Sequence, residues 1–189
     1  MRLGVRVGQG YKKILDEKMR DLVCENIQVD EMCGFIGAKQ KTVHENNLDP
    51  NKGNIWTWIA LDSDTKIVPT FAIGNRTKEM AHLFMHDLAS RMKNRIQISS
   101  DALPAYVDTI EEAFGSAVDY GTVIKKYSHT DLDSPATCYS PPDVLQIKKV
   151  VVQGNPKREN ISTSFIEMQN HTVRMHCRRL SRLTIDSAR

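Results

Sequence analysis

The chain has 189 residues, 40% of them hydrophobic and 26% charged, which suits one domain with a sizeable core and not a disordered chain. No apolar run approaches the roughly 20 residues of a membrane-spanning helix and no leader opens the chain, so the cytoplasm is the expected location and no membrane partner is expected. The net charge of +3 hides an asymmetry: residues 148–189 carry nine basic and three acidic side chains, leaving −3 for residues 1–147, as suits a phosphate-rich partner on one face.

Residues 1–10, MRLGVRVGQG, are glycine-rich and aperiodic, and are read as a loose terminus. GVRVGQG is not a phosphate loop, because no strand precedes it and no GK[ST] follows. Tyr11, Ile14, Leu15, Leu22 and Val23 recur at helical spacing and predict a short amphipathic helix. Residues 1–23 are thus a tail and helix, and 24–189 the main domain. Strands are predicted at 24–37, 55–62 and 66–74, with a surface loop over 38–54. Asp62-Ser63-Asp64-Thr65 supplies turn chemistry between the last two. In the first strand Ile27, Val29 and Glu31 share one side, and Gln28, Asp30 and Met32 the other.

From Thr77 to Arg95 the period changes, with Ala81, Phe84, Met85, Leu88 and Met92 on one helical face and Thr77 as N-cap. A strand over 95–101, a helix over 103–114 with Pro104 in its first turn, and a strand over 117–125 follow. Residues 128–160 are expected to be an irregular insertion, although LQIKKVVVQG (145–154) is strand-like. A long basic helix is predicted over 162–183. This order predicts an α/β protein with a ribonuclease-H-like fold: a mixed sheet of three antiparallel strands and then parallel ones, with helices on both faces.

Phosphodiester transfer with divalent ions needs carboxylates that converge from distant segments. Asp30 sits inside a strand, where a lone charge is costly unless its face is wet. Asp101 closes a strand before a helix, where ligands gather in α/β sheets, but where a capping Asp is also common. Glu167 follows Ser164 in an S-x-x-E capping box, yet shares a helical stripe with Asn170, His171, Arg174 and Arg178; both readings stay open. His82, His86 and Asp87 are more simply a solvated helix flank than a metal site. Asp62 and Asp64 are read as turn residues, and Trp56 and Trp58 as core or subunit contacts. Cys24, Cys33, Cys138 and Cys177 lack zinc-ligand spacing and are read as reduced thiols.

From Asn26 to Thr184 the chain resembles the catalytic region of transposases of bacterial insertion-sequence elements, in the group typified by insertion sequence one. The likeness is densest in IQVDEMCGFIGAKQK, GNIWTWIALDSDTKIVPTFAIGNRT, ISSDALPAY, VDYGTVIKKY and ISTSFIEMQNHTVRMHCRRLSRLT. It implies a DDE enzyme of DNA transposition and recombination, with Asp30, Asp101 and Glu167 as catalytic residues and ligands of Mg²⁺, Mn²⁺ being a substitute. The expected mechanism uses two ions roughly 4 Å apart. Arg174, Arg178, Arg182, Lys148 and Lys149 would contact DNA, with Asn170 positioning the scissile strand. The implied partners are the inverted terminal repeats, target DNA and further copies of the chain, and the implied location is the nucleoid. Met168 stands where the family has arginine, and Leu103 and Ala105 where it is more polar. The family's helix-turn-helix region and its continuation beyond the basic helix are not seen, so a core clipped at both ends is expected. The alternatives are an inactive DNA-binding remnant and a ribonuclease-H-like nuclease that cuts without joining.

Overall fold

The computed structural model describes residues 2–49, 51–127, 144–177 and 180. In chain order the elements are α1 (Arg2–Lys18), β1 (Asn26–Ile36), α2 (Gln40–Glu45), β2 (Gly53–Asp62), β3 (Phe71–Gly74), α3 (Lys78–Arg91), β4 (Ile96–Asp101), α4 (Pro104–Phe114), β5 (Val118–Tyr127), β6 (Val144–Gln153) and α5 (Ser164–His176). The strands form one six-stranded mixed sheet in the order β3-β2-β1-β4-β5-β6. β1, β2 and β3 are antiparallel, β4 and β5 run parallel to β1, and β6 returns antiparallel along β5. The protein is therefore α/β, as expected. No helix among the described residues is long and apolar enough to cross a membrane.

Strand alternation divides the core between two faces. Ile27, Val29, Trp58, Ala60, Ile98 and Tyr120 pack with Ala81, Phe84, Met85 and Leu88 of α3 and Tyr106 and Ile110 of α4. Trp58 meets the Tyr106 ring edge-on at 5.9 Å, an arrangement aromatic quadrupoles favour. Met32, Ile59 and Leu61 point the other way and meet Ile166 and Val173 of α5. Helices thus cover both faces, and the two sides read for the first strand are the two sides observed.

Several local expectations need correction. Residues 2–10 are helical, continuing α1 from a turn that Arg91 anchors. The Arg91 guanidinium donates to the Leu15 and Met19 carbonyls at 2.9 and 3.3 Å and pairs with Asp16 at 2.6 Å. Extending such an anchored helix is cheaper than nucleating one, so periodicity alone misses the glycine-rich start. The segment over 38–54 contains α2, with Val43 buried. β3 is shorter than expected, because Pro69 has no N–H for the ladder and the strand begins after it, at Phe71. The strand-like reading of 145–154 holds, however: β6 is an outer strand paired with β5, within the segment otherwise expected to be irregular. α5 ends at His176, capped by Cys177; of the rest of the predicted helix, residues 178, 179 and 181–183 lie outside the described residues.

The expected N-cap of α3 is present, with Thr77 accepting from the Met80 N–H. α5 is capped differently. Its N-cap is Thr163, and no capping box forms from Ser164. Instead the buried Gln28 side chain reaches from β1, and its Oε1 accepts the Phe165 and Ile166 N–H groups, each at 3.0 Å. Two of the helix's orphan donors are satisfied from the sheet, which seats the head of α5 beside Asp30.

Candidate functional site

β1 and β4 are hydrogen-bonded at only three positions, Asn26–Gln97, Ile27–Ile98 and Gln28–Ser99. Beyond these the parallel strands part, while β1 keeps its full pairing with β2 on the other side. The chain leaves β1 toward one edge of the sheet and reaches β4 on the other, so this gap is a switch point of the kind where α/β sheets bind ligands. Neighbouring strand residues ordinarily point to opposite faces. At this opening, oxygens of the neighbours Asp30 and Glu31 and of Asp101, the last residue of β4, all lie within 4.8 Å of one another.

Each carboxylate has its own support. Asp30 Oδ2 accepts from Asn170 Nδ2 at 2.8 Å. Burial raises the Asp30 pKa to about 6, with the charges of Asp101 and Glu167 adding to the effect. Glu31 is more deeply buried, its side chain only 1% exposed. Burial, and after it the Asp101 charge, raise it to about 7 against the opposing Tyr106 hydroxyl and the charge of Arg76. Arg76 Nε and Nη2 both lie 3.2 Å from Glu31 Oε2, and Nη2 is 3.9 Å from Asp101 Oδ2. The Arg76 guanidinium stacks over Trp56, 4.9 Å from the ring centroid. Asp101 Oδ1 accepts the Leu103 N–H at 3.2 Å, so the local turn-capping role coexists with a place at the opening.

Glu167 lines the same cleft, a cavity of about 480 Å³ that also includes Asp30, Asp101, Arg76, Lys125 and Thr163. It does not join the tight group of carboxylates. Lys125 Nζ of β5 donates to both of its carboxylate oxygens, and Thr163 Oγ1 donates to Oε1. A second hollow continues past Asp30 and Glu167 to Asn170, His171 and Arg174. Arg174 is turned toward the protein, donating to the carbonyls of Leu180 at 2.8 Å and Cys33 at 3.0 Å. Lys149 likewise donates to the carbonyls of Arg158 and Glu159, while Lys148 is exposed on β6. Arg178 and Arg182 lie outside the described residues.

The secondary features fall mostly to structural roles. Asp87 is taken up by Arg91 and Thr70, not by His82 or His86. His82 faces Glu112 at 3.6 Å. Asp62 Oδ2 accepts from the Thr65 N–H and hydroxyl, holding the turn as expected. Trp58 is wholly buried in the core, and Cys24, Cys33 and Cys177 are free thiols.

Sequence reasoning missed Glu31, Arg76 and Lys125. For Glu31 a signal existed: alternation put it on the side of Ile27 and Val29, where a charge is costly without a partner. Arg76 comes from the short connection between β3 and α3, where spacing carries no such signal. No protein-family model matches the sequence, and no curated protein matches it either.

Proposed function

We propose that this chain is the catalytic domain of a Mg²⁺-dependent DDE transposase with a ribonuclease-H-like fold, cutting DNA and joining the freed end to a target. An antiparallel meander followed by helix-linked parallel strands and a late helix supports the fold. The observation that carries the function is the meeting of Asp30 and Asp101, 71 positions apart, at the opening of the sheet, with Glu167 across the same cleft. The sequence resemblance assigns its acid triad to these same three residues.

The residues present fit a hard divalent cation. The donor set is all carboxylate oxygen, the preference of Mg²⁺, and the buried Glu31 Oε1 has no well-formed hydrogen bond among the described residues. Carboxylates packed this closely hold protons unless a positive charge offsets them, as the raised pKa values of Asp30 and Glu31 record. Bound Mg²⁺ would activate the attacking oxygen and stabilise the leaving one.

The chain's own side chains do the positioning. Asn170 fixes the rotamer of Asp30, the Leu103 N–H fixes Asp101, and Arg76 offsets part of the negative charge. Lys125 faces the cleft while bound to Glu167. A DNA phosphate entering there offers Lys125 a second anionic partner, which frees Glu167 to turn toward the aspartates. In the first reaction water attacks a backbone phosphorus and the strand's 3′ oxygen leaves. In the second that 3′-hydroxyl attacks a target phosphodiester, so one P–O bond forms as one breaks.

The test is Mg²⁺-dependent nicking of duplex DNA by the wild type and by Asp101→Ala, followed by joining of a pre-cut donor end. Loss of both signals in the variant is expected. Equal nicking by the two proteins would remove the catalytic reading and leave a DNA-binding remnant. Nicking without joining would leave a nuclease.

A further inference from the structure

We propose that Glu31 is a ligand of a divalent-cation site shared with Asp30 and Asp101. The inference rests on the Mg²⁺-dependent reading above and assigns a fourth acid to that centre. The first support is distance. Oxygens of the three residues all lie within 4.8 Å of one another, a little wider than the roughly 4.2 Å that opposite ligands of one Mg²⁺ span, so small side-chain shifts would close them on one ion.

The second support is the unequal use of the two Glu31 oxygens. Both Arg76 contacts fall on Oε2, and Oε1 is buried without a well-formed hydrogen bond among the described residues. The carboxylate that anchors Arg91 is bound differently. Asp87 gives one oxygen to Arg91 Nε at 2.8 Å and the other to Nη2 at 3.0 Å. The fork-to-fork pair there uses both oxygens, whereas both Arg76 contacts use a single Glu31 oxygen.

The third support is the behaviour of the nearest hydroxyl. Tyr106 is completely buried and close enough to Glu31 for each to perturb the other's ionisation. The Tyr106 hydroxyl is the donor that faces Glu31 and lowers its pKa, but the contact falls short of a well-formed hydrogen bond, as that hydroxyl and Glu31 Oε1 are both otherwise without a partner among the described residues. A buried carboxylate served by one poorly aligned hydroxyl is costly, and a cation between Glu31, Asp30 and Asp101 would offset that cost. Glu167 does not fill this role in the structure, because Lys125 and Thr163 engage it.

The experiment is a titration of the whole metal-free chain with Mn²⁺, reading free Mn²⁺ by electron paramagnetic resonance, with a thermal melt of each protein as a folding control. Glu31→Gln keeps the size and the Arg76 contact but removes the charge. It should weaken Mn²⁺ binding by about tenfold or more, as Asp101→Asn should, and should melt no lower than the wild type without metal. Wild-type affinity in Glu31→Gln together with loss in Asp101→Asn would overturn the assignment and leave the Mg²⁺-dependent centre standing. Absence of Mn²⁺ binding in the wild type would overturn both. Should Glu31→Gln not fold, Glu31→Asp, shorter by one methylene, replaces it, and wild-type affinity there would equally sink the proposal.

Discussion

Asn170 Nδ2 on α5 donates to Asp30 Oδ2 on β1 at 2.8 Å, joining residues 140 positions apart. Asn170 is 7% exposed, and its own Oδ1 has no partner among the described residues. The contact ties the helix that carries Glu167 to the strand that carries Asp30. Asn170→Ala should therefore lower the nicking rate by about tenfold or more with a smaller effect on DNA affinity, since a misplaced reacting group costs rate before binding. Equal loss in both quantities would make Asn170 a DNA contact instead.

The raised carboxylates predict the pH dependence of stability in the metal-free protein. Free side chains ionise near 3.8 and 4.5, whereas folded Asp30 and Glu31 do so near 6 and 7. Between about pH 4 and pH 7 the folded state holds more protons than the unfolded one, so these residues make stability fall as pH rises through that window. Thermal melts in chelator should show higher stability at pH 5 than at pH 8 from this source. The double variant Asp30→Asn, Glu31→Gln should flatten the slope; an unchanged slope would show that other groups set it.

Lys125→Met removes the cation that engages Glu167. Half-maximal nicking should then need less Mg²⁺, because one positive charge leaves the cleft and Glu167 is released. DNA affinity should fall, with a shallower salt dependence, by the loss of one phosphate contact. An increased Mg²⁺ requirement would mean that Lys125 orients Glu167 productively.

Gln28→Leu leaves the first N–H groups of α5 without their acceptor in a buried setting. The expected loss is about 1–3 kcal/mol, measured by urea denaturation. An unchanged midpoint would show that the helix start finds other partners.

Arg91→Met should release α1. Arg91 is 2% exposed and holds the last turn of that helix through two carbonyls and Asp16. Limited proteolysis should cut within residues 2–18 faster in the variant, while α3 stays protected by Phe84, Met85 and Leu88 in the core. Equal cutting in both proteins would mean that α1 docks without Arg91.

Wherever residues met a regular period, the sequence by itself determined the outcome. The two sides of β1, the core face of α3, the Thr77 cap, the α/β class and the strand order followed from alternation, helical spacing and capping chemistry, which act over a few residues. Tertiary structure decided what depends on partners far along the chain. Arg91 kept a glycine-rich start helical, Gln28 capped α5 where a Ser164 box was open, and Lys125 took Glu167 away from the aspartates. The parting of β1 and β4 after Gln28 left an opening where oxygens of Asp30, Glu31 and Asp101 come together. A local pattern registers which face a side chain takes, whereas burial and charge pairing are properties of the space between elements.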